Sequence, residues 1–156
     1  MKKNKAGIWI AGVSLIFVLL GAFVLFVLQG TETAASDFTG LGVKALPAIL
    51  VYAVFNTAFP EELLFRGFLL KRLQSKFGFA AANTVQAFLF GLLHGIMFFT
   101  LTGAVKAILI IIFTGVIAWF MGYINEKKAD GSLIPGWIIH SISNLFSGIC
   151  SAFLLI

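Results

Sequence analysis

A chain of 156 residues that is 60% hydrophobic and 11% charged, with 18 phenylalanines and a mean hydropathy of +1.06, lies outside the composition of soluble domains. Its formal charge of +5 does not mark a nucleic-acid binder, because the basic residues fall in short clusters between apolar runs and form no stripe along a face. The composition is that of an integral membrane protein, and its one cysteine, Cys150, excludes an intramolecular disulfide and reads as a buried, inert thiol.

Five apolar stretches, at about 8–28, 46–70, 80–99, 104–124 and 133–156, are each long enough to cross a hydrocarbon core of about 30 Å. They predict an all-α fold, a polytopic membrane helix bundle of about five transmembrane helices. The first follows the basic start MKKNK and resembles a secretory signal, with small residues Ala34, Ala35 and Ser36 where a cleavage site would fall. Its length of 21 residues exceeds the usual apolar run of about 7 to 15 in a signal peptide, so an uncleaved anchor is expected. Residues 1–45 are thus read as an anchor helix with an external loop, and residues 46–156 as the core.

The connection QGTETAASDFTGLGVK at 29–44 is the one long loop, and there is no internal repeat. With the N-terminus in the cytoplasm, cytoplasmic segments carry Lys2, Lys3, Lys5, Lys71, Arg72, Lys76, Lys127 and Lys128, which are eight of the eleven positive charges. That bias sets the expected orientation in a plasma membrane.

The second stretch holds Glu61, Glu62 and Arg66. Three ionisable residues near a span centre oppose insertion by about 8 to 10 kcal/mol, and the 13 Leu, Ile, Val and Phe residues of 46–70 return only about 4 to 8. Internal partners are required. Residues four apart share a helix face, so Glu62 and Arg66 can pair, while Glu61 points about 100° away and is left for acid/base work. Pro60 breaks the backbone ladder and starts a new helical segment, which puts both acids in its first turn, at the positive end of the helix dipole.

The two histidines, His94 and His140, both fall inside apolar stretches. Asn144 lies one turn beyond His140, while Gly91 and Gly95 flank His94 at the small-residue spacing of close helix packing. Phe90, a turn before His94, reads as core. Counting 1.5 Å per residue puts His140 about 10 Å and Glu61 about 14 Å in from the cytoplasmic side. His94 joins them, at about 16 Å, if residues 71–82 run along the membrane surface and the third span begins near Asn83. The expectation is a wet pocket beneath the cytoplasmic face, where a glutamate, two histidines and an amide position water and steady an oxyanion. Intramembrane Glu and His also mark proton pathways, which stand as a further reading.

At these residues the chain resembles the CPBP family of intramembrane proteases, also called the CAAX prenyl protease 2 or Abi family. Glu61, Glu62 and Arg66 match EExxxR, Phe90 and His94 match FxxxH, and His140 and Asn144 match HxxxN. The resemblance covers about residues 58–150. It implies an intramembrane endopeptidase in which Glu61 activates water with His94 and His140, Asn144 helps form the oxyanion site, and Glu62 with Arg66 orients Glu61. The substrate implied is a membrane-associated or secreted peptide, and the short chain and loops resemble bacterial members. The alternative is a non-catalytic bacteriocin-immunity or partner-binding protein of the same fold.

The sequence leaves the metal open. There is no HExxH, but Glu61, His94 and His140 would supply the three protein ligands of a zinc site. Family members often have six to eight spanning helices, so a cavity walled by five implies a homo-oligomer or another partner.

Overall fold

The computed structural model describes the backbone of residues 3–155 and the side chains of 7–26 and 28–155. Among these residues every regular element is helical. Helix α1 spans Lys3–Val27, and the connection after it holds two short 3-10 turns, Ser36–Phe38 and Gly42–Ala45.

From Leu46 the chain is helical without interruption until two corners, at Gly78 (φ 77°, ψ 167°) and Gly103 (φ 77°, ψ 172°). Only glycine adopts that backbone region readily, so these two residues decide where the chain reverses. They divide it into α2 (46–77), α3 (79–102) and α4 (104–128), and α5 follows as Ile134–Ala152. Residues 71–82 therefore do not form a separate surface stretch: α2 continues to Gly78 and α3 starts directly after it.

Helix α2 is irregular where the acidic pair lies. Its segments run Leu46–Val51 (α), Tyr52–Ala58 (π), Phe59–Glu62 (α) and Leu63–Leu69 (π). Pro60 has no N–H to give to the carbonyl of Asn56 and its ring crowds that carbonyl, so the preceding turn widens to the i→i+5 pattern. The short α-turn Phe59–Glu62 that carries Glu61 and Glu62 has Pro60 in its first positions, as expected, but the helix changes its hydrogen-bond pattern there and does not break.

The helices alternate in direction. At one end Trp9 packs on Tyr123, Phe79 on Tyr123 and Lys127 over Phe79, and Lys71 pairs with Glu126. At the other end Phe38 packs on Tyr52, Phe23 on Phe113, and Gly40 N–H donates to the carbonyl of Ser151 at 3.2 Å. Lys71, Arg72, Lys76, Lys127 and Lys128 all lie at the first end.

Three apolar clusters hold the bundle. Val13, Phe17, Met121, Ile124 and Ile139 join α1, α4 and α5. Phe65, Ala87, Phe90 and Ala118 join α2, α3 and α4, and Ala45, Ile49 and Ala152 pack the start of α2 against the end of α5. Gly91 and Gly95 let α3 and α4 touch: a Cβ on Gly91 would collide with the Ile111 carbonyl and one on Gly95 with the Ile111 side chain.

Polarity is distributed opposite to that of a soluble protein. Glu62, Arg66, Asn83, Gln86 and Asn125 are sealed inside, while Ile8, Leu19, Ile96 and Val105 are more than half exposed. Such a surface suits lipid, and the interior supplies the polar partners that lipid cannot. Two stretches, Gly7–Phe26 and the 87-residue Gly42–Lys128, are long and apolar enough to cross a bilayer, and the second contains both glycine corners. This is a membrane protein.

Candidate active site

Glu61, Glu62 and Arg66 from α2, His94 from α3, and His140 and Asn144 from α5 lie near the middle of the bundle. Glu61 Oε2 is 3.9 Å from His94 Nε2 and 3.8 Å from His140 Nε2. That oxygen is buried and has no hydrogen-bond partner among the described residues.

The far nitrogen of each imidazole is held. His94 Nδ1–H donates to the Phe90 carbonyl one turn back at 2.8 Å, and His140 Nδ1–H donates to Glu62 Oε1 at 3.1 Å. With those protons committed, both Nε2 atoms present lone pairs towards Glu61. Three acceptors thus face one point with no protein donor between them, which is a site built for a molecule that donates, such as water.

Glu62 works through its neighbours. It is 1% exposed, receives Arg66 Nη1–H at 2.8 Å on the same oxygen that accepts from His140, and so ties α2 to α5. Gly136 lets the first turn of α5 come close, since a Cβ there would stand 2.6 Å from Glu62 Oε2. The positive end of that helix adds to the charge balance. Arg66 is fully buried, with its guanidinium 4.5 Å above the Phe90 ring. The resemblance assigns Glu62 and Arg66 to Glu61, but the direct contact is with His140.

Phe90 does more than fill space. Its ring lies 4.4 Å from that of His94 and 5.9 Å from that of His140, and it packs edge-on against Phe65 at 5.0 Å. It is the ring against which both imidazoles and the arginine pack.

Asn144 reaches the group through Thr57, a residue the sequence reading passes over. Asn144 Nδ2 donates to Thr57 Oγ1 at 2.7 Å, and that hydroxyl donates to the Tyr52 carbonyl at 3.0 Å. One amide hydrogen of Asn144 is left for a further acceptor. Thr57 lies one turn before Glu61, and that spacing was the available signal. Also passed over were Asn83, Gln86 and Asn125, polar residues in apolar spans. Gln86 Nε2 donates to Asn83 Oδ1 at 2.9 Å, Asn83 Nδ2 to the Trp119 carbonyl at 2.9 Å, and Gly136 N–H to Asn125 Oδ1 at 2.8 Å.

Glu61, His94, His140, Thr57 and Asn144 border a cavity of about 310 Å³ to which all five helices contribute. Separations of 3.8 and 3.9 Å exceed the edge of about 3.3 Å that a tetrahedral zinc site has with bonds of about 2.0 to 2.1 Å. Among the described residues no group of three such side chains stands at metal-ligand spacing. As placed, Glu61, His94 and His140 do not fit a zinc ion. Cys150 is buried, as expected of an inert thiol.

No curated protein and no solved structure matches the chain. The model of one family, Rce1-like, described as Type II CAAX prenyl endopeptidase Rce1-like, matches residues 43–146, two-thirds of the chain. That span holds every residue of the three motifs, and the chain belongs to the Rce1-like family of type II CAAX prenyl endopeptidases.

Proposed function

We propose that the protein is an intramembrane endopeptidase that hydrolyses a peptide bond of a membrane-associated or secreted peptide, using water activated by Glu61. The observation that carries this reading is the convergence of Glu61 Oε2 with the free Nε2 atoms of His94 and His140 at 3.9 and 3.8 Å on the floor of a cavity.

Water bound there donates one hydrogen to Glu61 and the other to a histidine, which aims its oxygen lone pair outward. Attack on the substrate carbonyl forms the C–O bond while Glu61 takes the water's proton. The carbonyl electrons move onto oxygen, and the free amide hydrogen of Asn144 receives that charge. Collapse breaks the C–N bond, and the proton held on Glu61 goes to the leaving amine. Glu62 fixes the tautomer of His140, and the Phe90 carbonyl fixes that of His94. Each of the five helices crosses the bilayer in this reading, with the N-terminus in the cytoplasm of a bacterial cell.

The test is purified protein with candidate membrane peptides, comparing the natural chain with Glu61→Ala. Loss of cleavage in the variant is expected, and equal cleavage by both rejects the proposal.

A further inference from the structure

The first turn of α5 is held from outside the helix. Of its opening backbone donors, Ile134 N–H reaches Ser132 Oγ at 3.3 Å, Pro135 has no N–H, and Trp137 N–H closes the turn onto the Leu133 carbonyl at 3.0 Å. Gly136 N–H is the one left over, and Leu133 at the cap position has no polar side chain to accept it. Asn125 of α4 takes that part, since its Oδ1 accepts from Gly136 N–H at 2.8 Å. The Asn125 carbonyl also accepts Gly131 N–H at 2.8 Å, where φ is 82°, so the connection from α4 to α5 is folded back onto the same residue.

This cap stands against the carboxylate that holds His140. Gly136 and His140 are four residues apart and share a face of α5. Glu62 lies along that face, with Oε1 on His140 Nδ1 at 3.1 Å and Oε2 beside Gly136. The point that a Gly136 Cβ would occupy is 2.6 Å from Glu62 Oε2 and 2.8 Å from Asn125 Nδ2. Because Gly136 N–H claims Oδ1, the orientation of the Asn125 amide is fixed, and its Nδ2 has no acceptor among the described residues. Glu62 Oε2 has no donor among them either. Both residues are at most 1% exposed. A sealed donor and a sealed acceptor beside one α-carbon are complementary, and leaving both unpaired is costly.

We infer that Asn125 is a positioning residue for the hydrolysis, acting through α5 and through Glu62. By way of Gly136 N–H it sets the start of α5 and hence the place of His140 one turn on. Its Nδ2 serves as a third donor to the Glu62 carboxylate. Arg66 and His140 both donate to Oε1, so a donor on Oε2 is what stops the carboxylate from rotating. With that oxygen held, Oε1 stays on His140 Nδ1 and the lone pair of His140 Nε2 stays towards Glu61, 3.8 Å away. Asn125 lies outside the three motifs and does not border the cavity, so it touches neither substrate nor water. The role in hydrolysis rests on the peptidase reading above.

Asn125→Ala removes both contacts. Asn83→Ala is the matched control, because it removes an equally buried amide whose hydrogen bonds go to the Trp119 carbonyl and Gln86 and not to α5. In peptide cleavage Asn125→Ala is expected to lower kcat about 10- to 100-fold with KM unchanged, while Asn83→Ala keeps the natural kcat even where its melting midpoint falls. A second readout needs no catalysis. The chain has two histidines, so nuclear magnetic resonance of labelled ring nitrogens sees two imidazoles, and His94→Gln leaves His140 alone in the spectrum. The Nδ1–H form of His140 is expected to give way to a mixture of tautomers on Asn125→Ala and to persist on Asn83→Ala. Gly136→Ala, whose Cβ presses on Asn125 and Glu62 from the α5 side, should reproduce both effects and replaces Asn125→Ala if that variant does not fold. A natural kcat or an unchanged His140 tautomer in either variant overturns the inference, as does an equal loss of kcat in Asn83→Ala. If the natural chain cleaves no peptide, the peptidase reading fails, and the His140 spectra alone decide whether Asn125 positions that ring.

Discussion

The Glu62–Arg66 pair lends itself to a thermodynamic cycle. The two side chains are 1% and 0% exposed, and among the described residues their contact of 2.8 Å is the only hydrogen bond Arg66 makes to a side chain, its Nε and Nη2 having no partner there. Glu62→Leu leaves a permanent positive charge buried without its hydrogen-bonded carboxylate, and breaking such a pair from one side costs about 3 to 5 kcal/mol. Arg66→Met is expected to cost less, because His140 still donates to Glu62 and a lone carboxyl can take up a proton, which an arginine cannot do. The double variant Glu62→Leu/Arg66→Met removes both charges and fills the space with apolar side chains, so it should recover most of the loss. For a chain of this size 1 kcal/mol corresponds to about 2 to 4 °C, so Glu62→Leu should lower the melting midpoint by about 6 to 20 °C. Detergent-solubilised protein followed by the fluorescence of Trp9, Trp119 and Trp137 reads this directly. Peptidase activity must not recover in the double variant, because His140 has lost the carboxylate that orients it. A double variant no more stable than Glu62→Leu, or a Glu62→Leu protein that melts with the natural chain, would refute the reasoning.

Four further outcomes are expected. Glu61→Gln should lower hydrolysis by about 10² to 10⁴-fold with an unchanged melting midpoint, because Glu61 Oε2 has no hydrogen-bond partner to lose among the described residues; single-turnover assays and melting curves on one preparation check both. Incubation with a chelator should leave the rate of peptide cleavage unchanged, since the trio is too widely spaced to hold zinc. Asn144→Ala should cost about 10² to 10³-fold in kcat, and Thr57→Val a smaller loss in kcat with little change in KM, because it frees the amide without removing it. Gly91→Ala should destabilise by about 1 to 3 kcal/mol, as its Cβ would meet the α4 backbone, whereas Gly12→Ala, with open space around it, should be neutral or slightly stabilising in the same melting assay.

Helical spacing alone makes Glu62 and Arg66 partners and turns Glu61 to another face, and the structure has the pair at 2.8 Å with Glu61 facing the histidines. Both facts depend only on residues within one turn of each other. The two histidines stand out for a similar reason, because a polar ring inside an apolar span demands a partner wherever the other helices lie. Thr57 and Asn125 escape notice because neither charge nor rarity marks them. Their importance comes from what is opposite, Asn144 in one case and Gly136 in the other.

Composition and local periodicity determined the class of molecule, the apolar runs, the irregular helix around Pro60 and the candidate site residues, because each of these follows from interactions between near neighbours or with the surrounding lipid. The contact of Glu62 with His140 and the ring contacts of Phe90 are decided by tertiary packing. So are the corners at Gly78 and Gly103 and the cavity to which all five helices contribute. These depend on which faces of separate helices meet and on where the interior is filled or left empty, and no single stretch of chain carries that information.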